Sequence, residues 1–316
     1  MPAVVTLTLN PSLDKASSLD ALRPDSKLRL SAPTLSAGGG GLNVARALVS
    51  LGCPAQAVYP AGGPAAALLQ QSLVEAGVSA QAVAVAAPLR ECLNVHERST
   101  GREYRLIMPG AALAHSEIDT VLQALAGLSG YRYLVISGSL PAGCDAAAVV
   151  RAMRLAKQAG ARCVLDLPGN VLAAVLTEES AYLIKPNVHE LADLLGVPSV
   201  PIEQAGLAAQ QLVARGLAQL VLVSCGASGA AWASPWGVDS QQAPTVASIS
   251  SVGAGDSLVA GFIAAALTKP PSDAVSVRAA VLYGMAAGTA ATLTPSDRLC
   301  EAATVEQLFS QLKQPS

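Results

Sequence analysis

Short apolar runs alternate with helix-period segments along the second half of this chain. Tyr133–Ser137, Cys163–Leu167, Tyr182–Ile184 and Leu220–Ser224 read as buried strands. Between and after them, Ala146–Ala159, Glu203–Arg215 and Val277–Thr292 carry helical spacing. Gly130, Gly160 and Gly216 stand where helix C-caps belong. Strand, crossover helix, strand is the pattern of a mostly parallel sheet with helices on both faces, so the chain is expected to fold as α/β. Another strand is expected near the N-terminus, over Val4–Leu9.

Two segments break the pattern. Lys15–Pro33 and Leu93–Met108 alternate polar with apolar residues and carry more charge. Asn94, His96 and Arg98, then Glu103, Arg105 and Ile107, flank the turn Ser99-Thr100-Gly101, which signals a hairpin. These excursions, about 15–35 and 90–109, are expected to form a small β subdomain, serving as a lid, a dimer contact or both. With no internal repeat and only a loop at Gly196–Pro201, residues 1–316 read as a single domain.

Bulk properties narrow the function. The 316 residues suffice for a sizeable core, 52% are apolar and only 13% charged. A net charge of −2 without a basic block disfavours nucleic-acid binding, and 3% aromatics leave no stacking platform. The six cysteines include no C-x-x-C pair and read as buried thiols of a reducing compartment. The N-terminus lacks a basic n-region, and apolar stretches are broken before the ~20 residues a bilayer demands. A cytoplasmic protein without membrane contact is expected.

The chemistry concentrates at two glycine-to-helix transitions. Ser251-Val252-Gly253-Ala254-Gly255-Asp256-Ser257 leads into the apolar run Leu258–Leu267. Amides of Gly253, Ala254 and Gly255 at a helix N-terminus welcome an anion, and Asp256 beside them can act as a base. An anion cradle beside a base suits phosphoryl transfer to a hydroxyl. The second transition, Gly38-Gly39-Gly40-Gly41-Leu42-Asn43, predicts a helix from about Leu42, with Asn43 free to bond a sugar hydroxyl. Two cradles suit two substrates.

Other candidates surround them. Asp14, placed at the end of the first strand, reads either as a ligand for sugar hydroxyls or as an Asx-turn. Arg90 and Arg105 on the lid, with Lys27 and Arg29 on its other segment, suit a phosphate, or are simply solvated. Ser139 after a buried strand either reaches substrate or closes a turn. Asn187 and Glu190 share a helix face and would orient Mg²⁺ or form a capping box. Lys185 precedes them, and the loop Ser224–Gly229, with Gly226 and Gly229, is a candidate for nucleotide contacts. His96, His115 and His189 are scattered and receive no role. No G-x-x-x-x-G-K-[ST] loop occurs, and no G-x-G-x-x-G follows the first strand.

These residues resemble the two signatures of the ribokinase-like (phosphofructokinase-B) sugar kinases. The similarity runs from Thr6–Pro11 to Arg298–Cys300, and Met108–Leu113, Val135–Pro141 and Ala290–Leu293 point to the minor-type 6-phosphofructokinase branch. Relatives acting on fructose 1-phosphate or tagatose 6-phosphate usually have lysine where Gly40 stands. The resemblance implies a three-layer α/β/α domain with a β-sheet lid, lids pairing in a homodimer, and ATP with Mg²⁺. It implies Asp256 as base, with Gly253, Ala254 and Gly255 as anion hole. Asp14, Gly38, Gly39, Asn43 and Ser139 would hold the sugar, and Arg90, Arg105 and Lys27 its phosphate. Lys185, Asn187, Glu190 and the Ser224–Gly229 loop would serve MgATP. A K⁺ loop would use backbone oxygens near Ser250 and Val252 and the Ala291–Ser296 segment, where Ser250 and Ser296 replace the family's usual Asp and Gly. Fructose 6-phosphate phosphorylation is the expected activity. A tagatose-6-phosphate kinase or 1-phosphofructokinase is the alternative, and a non-catalytic sugar-phosphate-binding regulator the second.

Overall fold

Val4-Val5-Thr6-Leu7 forms a central strand because both of its faces find a core: Val4 enters one apolar cluster, Val5 and Leu7 another. The computed structural model describes residues 2–314. Its first half runs β1 (Val4–Leu7), β2 (Ser12–Leu19), β3 (Thr34–Gly38), α1 (Gly40–Ser50), β4 (Ala55–Ala61), α2 (Ala65–Glu75), β5 (Ser79–Ala84), β6 (Arg90–Glu97), β7 (Arg102–Ile107) and α3 (His115–Ala126). Then follow β8 (Tyr133–Ser137), α4 (Ala146–Gln158), β9 (Arg162–Asp166), α5 (Gly169–Glu178), β10 (Ala181–Ile184), α6 (Val188–Leu195), α7 (Ala205–Ala214) and β11 (Ala218–Ser224). The chain finishes with β12 (Ala230–Ser234), β13 (Gly237–Gln241), α8 (Ala254–Thr268), α9 (Ala274–Thr292) and α10 (Ala302–Leu312).

Nine strands make the main sheet, in the order β13-β12-β11-β10-β9-β8-β1-β4-β5. Neighbours from β11 to β5 are parallel, and β12 and β13 fold back antiparallel at one edge. One core lies under α1, α2, α8, α9 and α10, with Tyr133, Val135 and Leu220 facing it. The opposite core lies under α3 to α7, with Leu134, Ile136 and Val221 facing it. This is the three-layer α/β fold the alternation predicts. From β1 the chain proceeds to β4 on one side and later to β8 on the other. The crevice of such a sheet opens beside β1, at the carboxyl ends of the strands.

Four further strands, β3-β2-β6-β7, form a separate lid sheet. The β6–β7 hairpin pairs His96 with Glu103 and Asn94 with Arg105 around the expected turn. β2 and β6 run parallel, Asp14 beside Cys92. Asp14 therefore sits in the lid strand β2, not at the end of the first strand, because β1 stops at Leu7 and the chain turns up through Asn10 and Pro11. The helix after the glycine run starts at Gly40 rather than Leu42, since Gly39, at φ 108°, already serves as its N-cap. Gly130 caps no helix: α3 ends earlier, at Gly127. α9 is long and apolar enough, by length and composition, to cross a membrane, contrary to expectation; 67% of its apolar window is buried inside the fold, where α8 and α10 cover it.

Candidate active site

Five consecutive parallel strands deliver polar residues to one edge. β1 leads to Asn10, β8 to Ser137 and Ser139, β9 to Asp166, β10 to Lys185 and β11 to Ser224. The lid hangs over this edge, and between them lies a cavity of about 300 Å³. Asp14, Gly39, Asn43, Arg90, Arg105, Ser139, Asp166, Glu190, Val252 and Asp256 all line it. A small cavity with cations on its roof and carboxylates on its floor suits a compact anionic polyol.

Asp256 is at the centre. Gly253, at φ 73°, turns the chain into the left-handed region and caps α8, a conformation that glycine adopts without strain. Ala254, Gly255 and Asp256 form the first turn, whose amides lack helical partners, next to the positive end of the helix dipole. Asn43 Nδ2 donates to Asp256 Oδ2 at 2.9 Å, and Ser137 Oγ lies 3.5 Å from Oδ1. Burial, and then the neighbouring Asp166 charge, push the Asp256 pKa to about 6, against the pull of Asn43, Lys185 and Arg105. A carboxylate with that pKa is basic enough to take a proton yet ionised at neutral pH. Lys185 Nζ lies 3.1 Å from Asp166 Oδ1, both largely buried. Burial works against the Lys185 ammonium, but Asp166, with Asp256 and Glu190, holds its pKa above the ordinary lysine value. A Cβ added at Gly255 would meet Lys185 Nζ at 3.4 Å, so this fixed cation adjoins the helix start.

On the lid side, Asp14 accepts from Ser12 Oγ at 2.6 Å. Burial raises its pKa, opposed by Ser12 and by Arg90, Arg105 and Arg46. Gly38 leaves Asp14 its space: a Cβ there would come within 2.3 Å of Oδ2. Arg90 donates to the Asn10 carbonyl at 2.9 Å, while its Nε is buried without a partner. Asn10 Nδ2 donates to Ser139 Oγ at 3.0 Å. The structure does not bring Lys27 to the cavity. It lies in the exposed segment between β2 and β3, and among the described residues it has no hydrogen-bond or ion-pair partner.

On the other side, Asn187 Oδ1 caps α6 by accepting from His189 N and Glu190 N, each at 2.9 Å, and Glu190 Oε2 accepts from Asn187 N at 2.8 Å. The capping box is thus real, and Glu190 still lines the cavity. Asn187 itself is absorbed into the cap and the cavity wall omits it, as it omits Ser224, Gly226 and Gly229. Ser224 N donates to Pro186 O at 3.0 Å, and Gly226 and Gly229 belong to the loop that follows β11. Of the expected K⁺ loop, the Ser250 hydroxyl bonds Glu103 and Val252, and the Ala291 carbonyl already accepts from Thr294 N and Oγ1. Only Val252 of that set touches the cavity, and Ser296 is half-buried away from its wall. Among the described residues no cluster of three or more His, Cys, Asp or Glu could hold a metal unaided.

Residues 7–304 match the pfkB carbohydrate kinase family. The chain belongs to that family. It is 38% identical over 317 residues to the ATP-dependent 6-phosphofructokinase isozyme 2 of Escherichia coli K12, with 99% of each chain covered. It is 34% identical over 299 residues to the 1-phosphofructokinase of Xanthomonas campestris pv. campestris, with 92% of this chain and 93% of the relative covered. The crystal structure of Escherichia coli phosphofructokinase-2 in complex with potassium superposes with a TM-score of 0.93 at 36% identity, covering 99% of this chain and all of that one. As a pfkB kinase, this chain is a phosphotransferase with a sugar-alcohol acceptor and ATP as co-substrate.

Several residues of this kinase site carry no role in the sequence reading. Asp166 is the next-to-last residue of the predicted strand Cys163–Leu167, and the rule that ligands gather at carboxyl ends could have flagged it. Asn10 likewise follows β1. Arg46 had no signal beyond lying near the glycine run. It donates to Asn43 Oδ1 at 3.3 Å, to Ala37 O at 2.9 Å and to Asp297 O at 2.8 Å. Holding the Asn43 oxygen turns the Asn43 amide nitrogen toward Asp256. That chain of bonds links residues far apart in sequence, so only the fold reveals it.

Proposed function

We propose that this kinase transfers the γ-phosphoryl group of ATP to the C1 hydroxyl of fructose 6-phosphate. The observation that carries the reading is the Asp256 carboxylate, basic by burial, at the amide-rich start of α8 and facing a cavity roofed by Arg90 and Arg105. Asp256 takes the hydroxyl proton as the new P–O bond forms. The amides of Gly253, Ala254 and Gly255 meet the charge on the transferring phosphoryl oxygens. Asp14, Asn43 and Ser139 hold sugar hydroxyls, with Gly38 and Gly39 shaping the wall, and Arg90 and Arg105 take the phosphate. Lys185 neutralises nucleotide phosphate charge, and the loop of Ser224, Gly226 and Gly229 after β11 receives the nucleotide. The lid excludes water during transfer.

The donor set fits Mg²⁺. Glu190 and Asp166 present carboxylates to the cavity, and Mg²⁺ commonly takes one or two of these with phosphate oxygens and its own water. When bound, it would offset charge on the transferring phosphates. A relative was crystallised in complex with potassium, and a monovalent cation here would use backbone oxygens near Ser250, Val252 and Ser296, the Ala291 carbonyl being taken by Thr294. The lid exposes Leu28, Leu30, Leu35, Leu106 and Met108, apolar groups that a second lid in a homodimer would cover. Light scattering tests that dimer, and a solution monomer overturns it.

Gly40, where lysine marks the other acceptors, favours fructose 6-phosphate, while the similarity to a 1-phosphofructokinase favours fructose 1-phosphate as the second reading. Coupled ADP release with fructose 6-phosphate, tagatose 6-phosphate and fructose 1-phosphate decides. The highest kcat/KM should belong to fructose 6-phosphate, and a higher value for either rival overturns the assignment.

A further inference from the structure

Glu103 belongs to none of the groups that line the cavity, yet the fold gives it a direct line to the phosphoryl-binding turn. On β7 it stands two residues before Arg105 and four before Ile107, hence on the same face of the lid as both. Those two line the cavity. Glu103 is set further along the strand and meets the main domain instead. Its Oε2 accepts from Ser250 Oγ at 2.8 Å, and the same oxygen of Ser250 accepts from Val252 N at 3.1 Å. Ser250 is 3% exposed, and Val252 immediately precedes Gly253, where the chain turns to open α8. On the other side of the loop, Ile249 N and Ser250 N donate to Thr292 O at 2.7 and 3.3 Å. Among the described residues, this is the hydrogen bond that joins the lid sheet to the 249–256 segment.

We propose that Glu103 is a positioning residue that couples the lid to the anion hole. A serine hydroxyl has one proton. Committed to a carboxylate, that proton fixes the lone pair that receives the Val252 amide, and the charged acceptor strengthens the second bond. Without Glu103 the buried hydroxyl is free to turn, and the turn that presents the Gly253–Gly255 amides loses a constraint at its first residue. Arg105 and Glu103 share one strand, so the residue at the cavity roof and the residue that holds Ser250 keep a fixed relation to one another. This inference rests on the kinase reading, and turnover by the unaltered enzyme tests that reading separately.

The experiment is a double-mutant cycle read at saturating sugar phosphate and ATP. Glu103→Ala should lower kcat about 5- to 10-fold, the net worth of one hydrogen bond made by a half-exposed side chain. Glu103→Gln keeps a carbonyl acceptor for the hydroxyl and should stay within about 3-fold of the parent enzyme. Ser250→Ala should lower kcat at least as far as Glu103→Ala, and the double variant should match Ser250→Ala alone, since the two act through one bond. Thermal melts of all variants identify any loss caused by unfolding, and Glu103→Gln, which preserves shape, carries the test if alanine disturbs the loop. A kcat for Glu103→Ala within 2-fold of the parent, additive losses in the double variant, a Gln variant as impaired as Ala, or an effect confined to KM would each overturn the coupling.

Discussion

Replacing the Asp256 carboxylate by an amide, Asp256→Asn, separates the two consequences of burying a base. Moving this carboxyl from its ordinary value of 3.8 to about 6 means that ionising it in the folded state costs up to about 3 kcal/mol more than in the unfolded chain. The folded pKa lies above the unfolded one. The stability contribution is therefore complete below pH 4 and is lost as pH rises through about 6. At pH 8 the parent enzyme carries the full cost. The Asp256→Asn variant would not, and its side-chain oxygen can still accept from Asn43 Nδ2. Differential scanning calorimetry of the unliganded protein at pH 8 should then show a Tm raised by at least about 2 °C, with the difference vanishing near pH 4. The same variant should lose about 10²–10⁴-fold in kcat, the usual worth of a general base. A lower Tm at pH 8 would refute the burial argument. Turnover within tenfold of the parent would remove Asp256 as the base.

Three further outcomes follow from the same geometry. The kcat/KM of the parent enzyme should rise with pH to a plateau, with an apparent pKa of about 6, as Asp256 ionises; a flat profile between pH 5 and 8 contradicts this. Arg90→Ala should raise KM for the sugar phosphate about 10- to 100-fold while that for ATP moves less than about 3-fold, because Arg90 lies on the lid side of the cavity; equal losses in initial-rate kinetics would place it elsewhere. Gly40→Ala gains helix propensity, yet its Cβ would sit 2.1 Å from Ser137 Oγ and 2.8 Å from the Gly138 amide. Net destabilisation of roughly 1–3 kcal/mol is expected in a urea melt, and a stabilised variant would show that β8 yields easily.

The layering and the reacting turn are legible in the order of residues alone. Short apolar runs of three to five residues bounded by turns read as strands covered on both sides, and β8, β9, β10 and β11 lie within two residues of their expected bounds. The glycines before Asp256 likewise dictate a turn into a helix, since Gly253 adopts a positive φ that other residues resist. Which side chains meet is settled by packing instead. Asn43 and Asp256 are 213 residues apart, and Glu103 and Ser250 are 147 apart; neither pair has a local signature. Lys27 looked equivalent to Arg90 as a loose cation, but only the sheet register places Arg90 on the cavity side of the lid and leaves Lys27 in solvent. Asp166 acquires its part in the site, and Asp256 its raised pKa, only when β9 and β10 run side by side to the edge where α8 begins. Local patterns record the period and the turn chemistry of a segment. The field at a carboxylate depends on charges brought near it from distant parts of the chain, and that is a property of the packed molecule alone.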